Sequence, residues 1–243
     1  MIYLKKLLIN SLSQEEYIAK NSSLKSIIDR GGLEFTSPVT FFIGENGTGK
    51  STLLEAIAVS YGFNAEGGTV NFNFSSVPTH SSLYKSLSLA KGALRPKDGF
   101  FLRAESFYNV ASEIDRLANE DKSFIEGYGG KSLHCQSHGE SFISVMANRF
   151  SGKGLYLLDE PEAALSVSSQ FALLKLIDEL VKNDSQFIIA THSPIISAYP
   201  DALIYEFTNQ DLRKTSYYDT DNYMLTKRFL QDPESMMRYL FSK

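Results

Sequence analysis

One cysteine, Cys135, is all the chain has, so no internal disulfide can form, and a reducing, cytoplasmic setting is expected. Long apolar runs are missing too. The longest are VTFFI at 39–43, LYLL at 155–158 and QFIIA at 186–190, far short of the ~20 residues that cross a bilayer. The opening MIYLKKLLINSLS lacks the order of a secretory signal: its lysines follow the first apolar residues, and Asn10 cuts the run. Neither sign of charge dominates, with 24 basic residues against 28 acidic ones for a net −4. That excludes a chain-wide nucleic-acid footprint, while a local basic face stays open. Repeats, low-complexity tracts, Pro-rich linkers and long heptad runs are also absent, which excludes solenoids and coiled-coil arms.

What is present is a chain of 243 residues, 43% hydrophobic and 12% aromatic, enough to bury one large core with or without a sub-domain. Short β-type runs fall at Ile2–Ile9, Leu33–Thr36, Val39–Ile43, Gly99–Arg103, Leu155–Leu158, Gln186–Ala190 and Ala202–Phe207. Helical periodicity falls at Lys50–Val59, Ser112–Asn119, Phe142–Arg149 and Phe171–Val181. Apolar strands alternating with amphipathic helices predict an α/β fold, a mostly parallel sheet covered on both faces. The expected organisation is a single domain, with its core at about 1–60 and 150–221. A Ser/Gly/Asn/Lys-rich lid is expected at about 61–149, and a helical tail at about 222–243. Asp232 is expected to cap the second tail helix, with Pro233 in its first turn and the tail's Tyr, Leu and Phe as packing residues.

The motif that carries chemistry is GENGTGKS, Gly44–Ser51, between the apolar strand VTFFI and a helical pattern. It fits G-x-x-x-x-G-K-S, a phosphate loop. Glycines let successive N–H groups curl toward one anion, and the new helix adds its positive end. The nucleotide-binding set is Gly44, Glu45, Asn46, Gly47, Thr48, Gly49, Lys50, Ser51 and Thr52. Lys50 reaches the β- and γ-phosphates, and the Ser51 hydroxyl suits Mg²⁺. The loop alone does not separate kinases, GTPases, motors and transport ATPases. A GTPase is disfavoured because TNQD at 208–211 has no lysine where guanine reading needs one.

A second motif, GLYLLDEP at 154–161, ends an apolar strand in Asp159 and Glu160. Asp159 at the strand tip suits a hold on Mg²⁺ beside the triphosphate. Glu160, one residue on, can polarise the attacking water or take its proton, a contribution of about 10²–10⁴ in rate.

DEPEAALS, Asp159–Ser166, resembles the Walker B and D-loop run of ABC-type ATPases, usually DEPTSALD, with Ser166 in place of the common aspartate. FIIATHSP, Phe187–Pro194, is similar to the family's switch segment, which implies that His192 hydrogen-bonds the γ-phosphate. The family's LSGGQ signature is replaced by QSHGESF, Gln136–Phe142. By that correspondence Ser137 takes the serine's place and Gly139 that of the second glycine. His138 replaces the first glycine, and Glu140 the glutamine. A capping box from Ser137 to Glu140 accounts for the same residues and is compatible with phosphate binding. The resemblance implies a head-to-tail homodimer that encloses two ATP molecules, each signature facing the nucleotide held by the other copy. It further implies a Q-loop equivalent in GFFLRAESFYN, with Glu105 near the metal, and an adenine-stacking aromatic for which Tyr17 is the candidate.

The motif pattern as a whole looks like the soluble, stand-alone bacterial branch of predicted AAA/ABC ATPases, distantly related to SMC, RecF and OLD ATPases. The expected activity is MgATP hydrolysis, coupled to a DNA-related, defence or repair partner and without membrane insertion. Two other readings stand beside it: the ATP-binding subunit of a membrane transporter, and a non-hydrolysing, ATP-gated dimer module. The segment Lys85–Arg103, with Lys85, Lys91, Arg95, Lys97 and Arg103 against Asp98, is either a DNA-facing surface or a solvated one.

Overall fold

The computed structural model describes residues 1–11, 16–69, 81–120 and 123–242. Its strands are β1 (Leu4–Ile9), β2 (Leu33–Glu34), β3 (Val39–Gly44), β4 (Leu87–Lys91), β5 (Asp98–Arg103), β6 (Gly154–Asp159), β7 (Gln186–Ala190), β8 (Leu203–Phe207) and β9 (Leu212–Thr215). The α-helices are α1 (Glu16–Lys20), α2 (Ser22–Asp29), α3 (Lys50–Tyr61), α4 (Phe107–Glu120), α5 (Ser123–Glu126), α6 (His138–Arg149), α7 (Val167–Lys182), α8 (Asp221–Gln231) and α9 (Pro233–Phe241).

The main sheet runs β5-β6-β7-β3-β8-β9, parallel throughout except where β9 pairs antiparallel with β8 at one edge. β6 and β7 are buried along their whole length, as expected where helices cover both faces of a sheet. Side chains alternate between the faces and divide each apolar strand between two cores. Phe41, Tyr156, Leu158, Phe187 and Ile189 face α4, α6 and α7, meeting Ile114, Phe142 and Leu173. Phe42, Leu155, Leu157 and Ile188 face the other way, meeting Leu53 and Ile57 of α3 and Leu24 of α2. Each such fully buried Leu or Phe contributes about 1.5–3 kcal/mol relative to exposure. Outside α3 lies a second, antiparallel sheet, β2-β1-β4. It is tied to the first through Gln186, whose Oε1 accepts the N–H groups of Tyr3 and Leu4 at 2.7 and 2.8 Å.

The expected strands and helices recur, with ends shifted by a few residues, and three features differ. β4 and β9, LSLAK and LRKT, carry little apolar pattern, and they become strands because β1 and β8 offer them open edges. The stretch 61–149, expected as a lid inserted between two parts of the core, gives β4 to the small sheet and β5 to the main one. The physical reason is burial: Phe100, Phe101 and Leu102 are wholly enclosed and divide between the two cores. The tail also departs from expectation. Asp232 does cap α9, its Oδ1 accepting from Ser235 N at 2.9 Å, with Pro233 in the first turn. Tyr223 packs on Tyr217 and Tyr218, but Leu225, Leu230, Leu240 and Phe241 are exposed, not packed. Among the described residues no helix is long and apolar enough to cross a membrane.

The sheet register decides where chemistry can happen. Asp159 pairs with Ala190, and Phe42 also pairs with Ala190, so the ends of β3, β6 and β7 share one edge. This is the carboxyl edge, where open α/β sheets bind their ligands.

Candidate functional site

The loop after β3 turns on glycines that cannot carry a side chain. Gly44 has φ 134°, and a Cβ there would sit 2.1 Å from the Phe207 carbonyl oxygen. Gly49 has φ 99°, and its Cβ would meet Asn21 Nδ2 at 2.7 Å. Because Gly49 is the N-cap of α3, no side chain satisfies the first N–H groups of that helix, and they are left for an anion. Lys50 is only 3% exposed. Its Nζ donates to the Glu45 carbonyl at 2.7 Å, beside Thr48 Oγ1, which donates to the same oxygen at 2.8 Å. Burial pushes the Lys50 ammonium below its ordinary pKa, and Glu160, Asp159, Glu162 and Glu45 pull it back. The loop thus holds a buried cation whose present partner is a neutral carbonyl.

Asp159 ends β6 and is 5% exposed. Burial pushes its carboxyl up to about 6, against the pull of Arg103 and a hydrogen bond from Ser51. Arg103 Nε lies 3.4 Å from Oδ2, while its other nitrogens reach Glu55 at 2.6 Å and Glu105 at 3.3 Å. Asp159 Oδ1 is buried with no hydrogen-bond partner. An orphaned carboxylate oxygen beside the Ser51 hydroxyl is the donor set a hard divalent cation prefers, so these residues fit Mg²⁺. Glu160 follows with φ 49°, a left-handed conformation rare outside glycine, its N–H held by the Ala190 carbonyl at 2.9 Å. Its Oε1 lies 3.4 Å from His192 Nε2.

Two clefts meet here. One, of about 280 Å³, is lined by Asn21, Asn46, Lys50, Ser51, Thr52 and Glu160 among others. The other, of about 380 Å³, is lined by Ser51, Ala104, Glu105, Asp159, Glu160 and Ala163. Lys50, Ser51, Asp159, Glu160 and Glu105 are therefore brought together, with His192 against Glu160. Ser137, Gly139 and Glu140 line neither cleft. They open α6 as a full capping box, Ser137 Oγ accepting from Glu140 N and Glu140 Oε2 accepting from Ser137 N at 3.0 Å. Gly139 packs so close to the Ala164 carbonyl that a Cβ would stand 2.8 Å from it.

A strand, a glycine loop and a helix that leave N–H groups and a buried lysine for an anion, beside a strand-end carboxylate, match two family descriptions. Residues 22–125 match "AAA domain", and residues 141–197 match "AAA ATPase domain". The chain is a P-loop ATPase of the AAA/ABC type. Relatives of this ATPase include the tungstate uptake system ATP-binding protein TupC of Campylobacter jejuni. It is 24% identical over 97% of this chain and 75% of its own length. The hemin import ATP-binding protein HmuV of Streptomyces coelicolor is 28% identical over 67% of this chain. The ATPase spans 62% of HmuV's length. Among solved structures, cbiO1 of Clostridium perfringens, part of the ABC transporter complex cbiONQ, shares the fold. Its TM-score is 0.54 at 15% identity, over 97% of this chain and 98% of that one.

Sequence reasoning missed four residues that the ATPase puts to use. Asn21 caps α2 through Leu24 N at 3.0 Å and donates to the Thr48 carbonyl at 3.0 Å, bracing the phosphate loop. An Asn-Ser-Ser start before an apolar stripe is a capping signal, so Asn21 was findable as a cap, though not as a brace. Arg103 was counted in a basic surface. It is instead 18% exposed and committed to Glu55, Glu105 and Asp159, so it leaves that surface. Lys85, Lys91, Arg95 and Lys97 remain exposed. Glu162 and Thr191 bond each other at 2.7 Å across a gap of 29 residues, which no local pattern announces. The side chain of Tyr17, the candidate for adenine stacking, lies outside the described residues, as does that of His138.

Proposed function

We propose that this ATPase hydrolyses MgATP as a head-to-tail homodimer, each copy closing its α6 start over the nucleotide held by the other. One observation carries the reading: the gripping residues share a cleft with unmet polar groups, whereas Ser137 and Gly139 lie outside it on the same chain. In the proposed cycle the triphosphate takes over the α3 N–H groups, and Lys50 exchanges the Glu45 carbonyl for phosphate oxygens. Ser51 and Asp159 would hold Mg²⁺, with Glu105 on the same cleft wall, and the ion would supply positive charge to offset that of the triphosphate. Glu160 accepts a proton from the attacking water as the γ-phosphoryl bond to ADP breaks, and phosphate leaves. His192, beside Glu160, donates to the γ-phosphate and registers its presence. Ser137 and the N–H groups at the start of α6 meet the same phosphate from the second copy, as a helix N-terminus favours an anion. The decisive experiment is size-exclusion chromatography of Glu160→Gln with ATP and Mg²⁺: a stable dimer is expected, and a monomer at every ATP concentration refutes the sandwich.

The cycle would drive a DNA-related, defence or repair partner in a cytoplasmic setting. The membrane-transport reading is favoured by a specific observation of its own, since TupC and HmuV are named for uptake and import. Affinity capture with the trapped Glu160→Gln dimer separates the two, a permease marking transport. ATP-enhanced, salt-dependent binding of duplex DNA supports the DNA reading.

A further inference from the structure

Glu162 has no part in the chemistry above, yet its carboxylate is fully engaged. It sits on the short turn Pro161–Ala164 after Glu160, and it faces the end of β7. Oε2 accepts from Thr191 Oγ1 at 2.7 Å, and Oε1 accepts from the backbone N–H of His192. The other side of the same residue is held from the tail: Asn222 Nδ2, on α8, donates to the His192 carbonyl. Thr191 Oγ1 accepts from Ser193 N at 3.0 Å, and Ser193 Oγ donates to Gln170 at 2.6 Å. Both peptide groups flanking the His192 Cα are therefore fixed by side chains, and the imidazole is the part left to turn. Its Nε2 has no hydrogen-bond partner and lies 3.4 Å from Glu160.

We propose that Glu162 is a positioning residue for His192, with Asn222 as its counter-clamp, and that together they set the distance between the imidazole and the reacting phosphate. With both carboxylate oxygens accepting protein donors, Glu162 is occupied and serves neither as metal ligand nor as base. It acts through where it holds the histidine backbone. Displacement of a reacting group by ~1 Å can cost about 10²-fold in rate, so a small loss of hold is measurable.

The inference rests on the role of His192 proposed above, and a double-mutant cycle on the full chain tells the two apart. Steady-state ATP hydrolysis is measured for His192→Ala, Glu162→Ala, Glu162→Gln and the double alanine variant. Glu162→Ala is expected to lower kcat about tenfold with KM for ATP within about twofold. Glu162→Gln can still accept the His192 N–H and donate to Thr191 Oγ1, so it should recover to within about threefold of wild type. The double variant should be no slower than His192→Ala alone, because both changes remove one function. Losses that multiply, or an unchanged kcat in Glu162→Ala, overturn the positioning role while leaving His192 in place. A glutamine variant as slow as the alanine one also overturns it, since charge and not geometry would then matter. A wild-type rate in His192→Ala defeats the reading of the histidine itself. Should Glu162→Ala fail to fold, Asn222→Ala replaces it. About a threefold loss that vanishes in the His192→Ala background is then expected, and a loss that persists there refutes the clamp.

Discussion

At the phosphate loop Lys50 is buried against its own Glu45 carbonyl, and Asp159 keeps one oxygen without a partner. At the start of α6, Ser137 and Glu140 are both exposed, and each satisfies the other. The first region is incomplete without a ligand, and the second is complete without one. A buried polar group with no partner costs about 1–3 kcal/mol, more when charged, so the loop gains most from substrate. An exposed capping box is stable in water, and to meet a phosphate of a second copy the Ser137 hydroxyl would have to turn from Glu140 Oε2, to which it donates at 2.7 Å. The proposed homodimer would use that difference, with the loop gripping the nucleotide and the α6 start closing over it.

The largest expected effect falls on the gripping side. Glu160→Gln should lower ATP turnover by about 10²–10⁴ while leaving nucleotide binding intact, as read by phosphate release and by equilibrium titration with ATP. If turnover survives, the base lies elsewhere. Lys50→Ala comes next, with a loss of about 10²–10³ in kcat that reflects one charged donor removed from a water-poor site. Unlike Glu160→Gln it should also weaken ATP binding, and unchanged affinity would contradict the place given to Lys50.

A third test uses pH. Burial raises Asp159 from 3.8 to about 6, so between those values the folded ATPase keeps a proton that the unfolded chain releases. Stability contributed by this group therefore falls as pH rises from about 4 to 6 and stays low above that window. Asp159→Asn removes the penalty. In denaturant unfolding without nucleotide or Mg²⁺, the variant should be more stable than wild type at pH 7–8, by about 3 kcal/mol at most, with the gap closing toward pH 4. A gap that is constant across the window would show that Asp159 does not titrate there.

The smallest effect is expected at the closing side. Ser137→Ala should cost about 1 kcal/mol of stability through the lost cap. If Ser137 also meets a phosphate in the second copy, ATP turnover should fall by about tenfold, the loss expected for one contact made in the transition state. Loss of stability without loss of turnover would reduce Ser137 to a cap and erase the contrast between the two regions.

Much of this was legible in the residues. GENGTGKS, DEP and THSP each follow an apolar strand, and local pattern alone places loop, carboxylates and histidine at strand ends. β4, β9 and the brace from Asn21 were not legible, because their identity depends on partners far along the chain. The same holds for Arg103, whose charge reads as a surface feature until Glu55, 48 residues earlier, encloses it.

The sequence by itself determined the strand-loop-helix chemistry of the phosphate grip and the continuous apolar runs that bury both faces of the sheet. These are short-range properties, set by glycine conformations, helix polarity and side-chain alternation. Only the tertiary structure decided which strand ends share an edge, and so which carboxylates, cations and backbone groups meet. Pairing of β3 and β6 with β7 brings Lys50, the run from Asp159 to Glu162, and His192 together from three separate segments, and contacts between distant segments follow from packing rather than from local spacing.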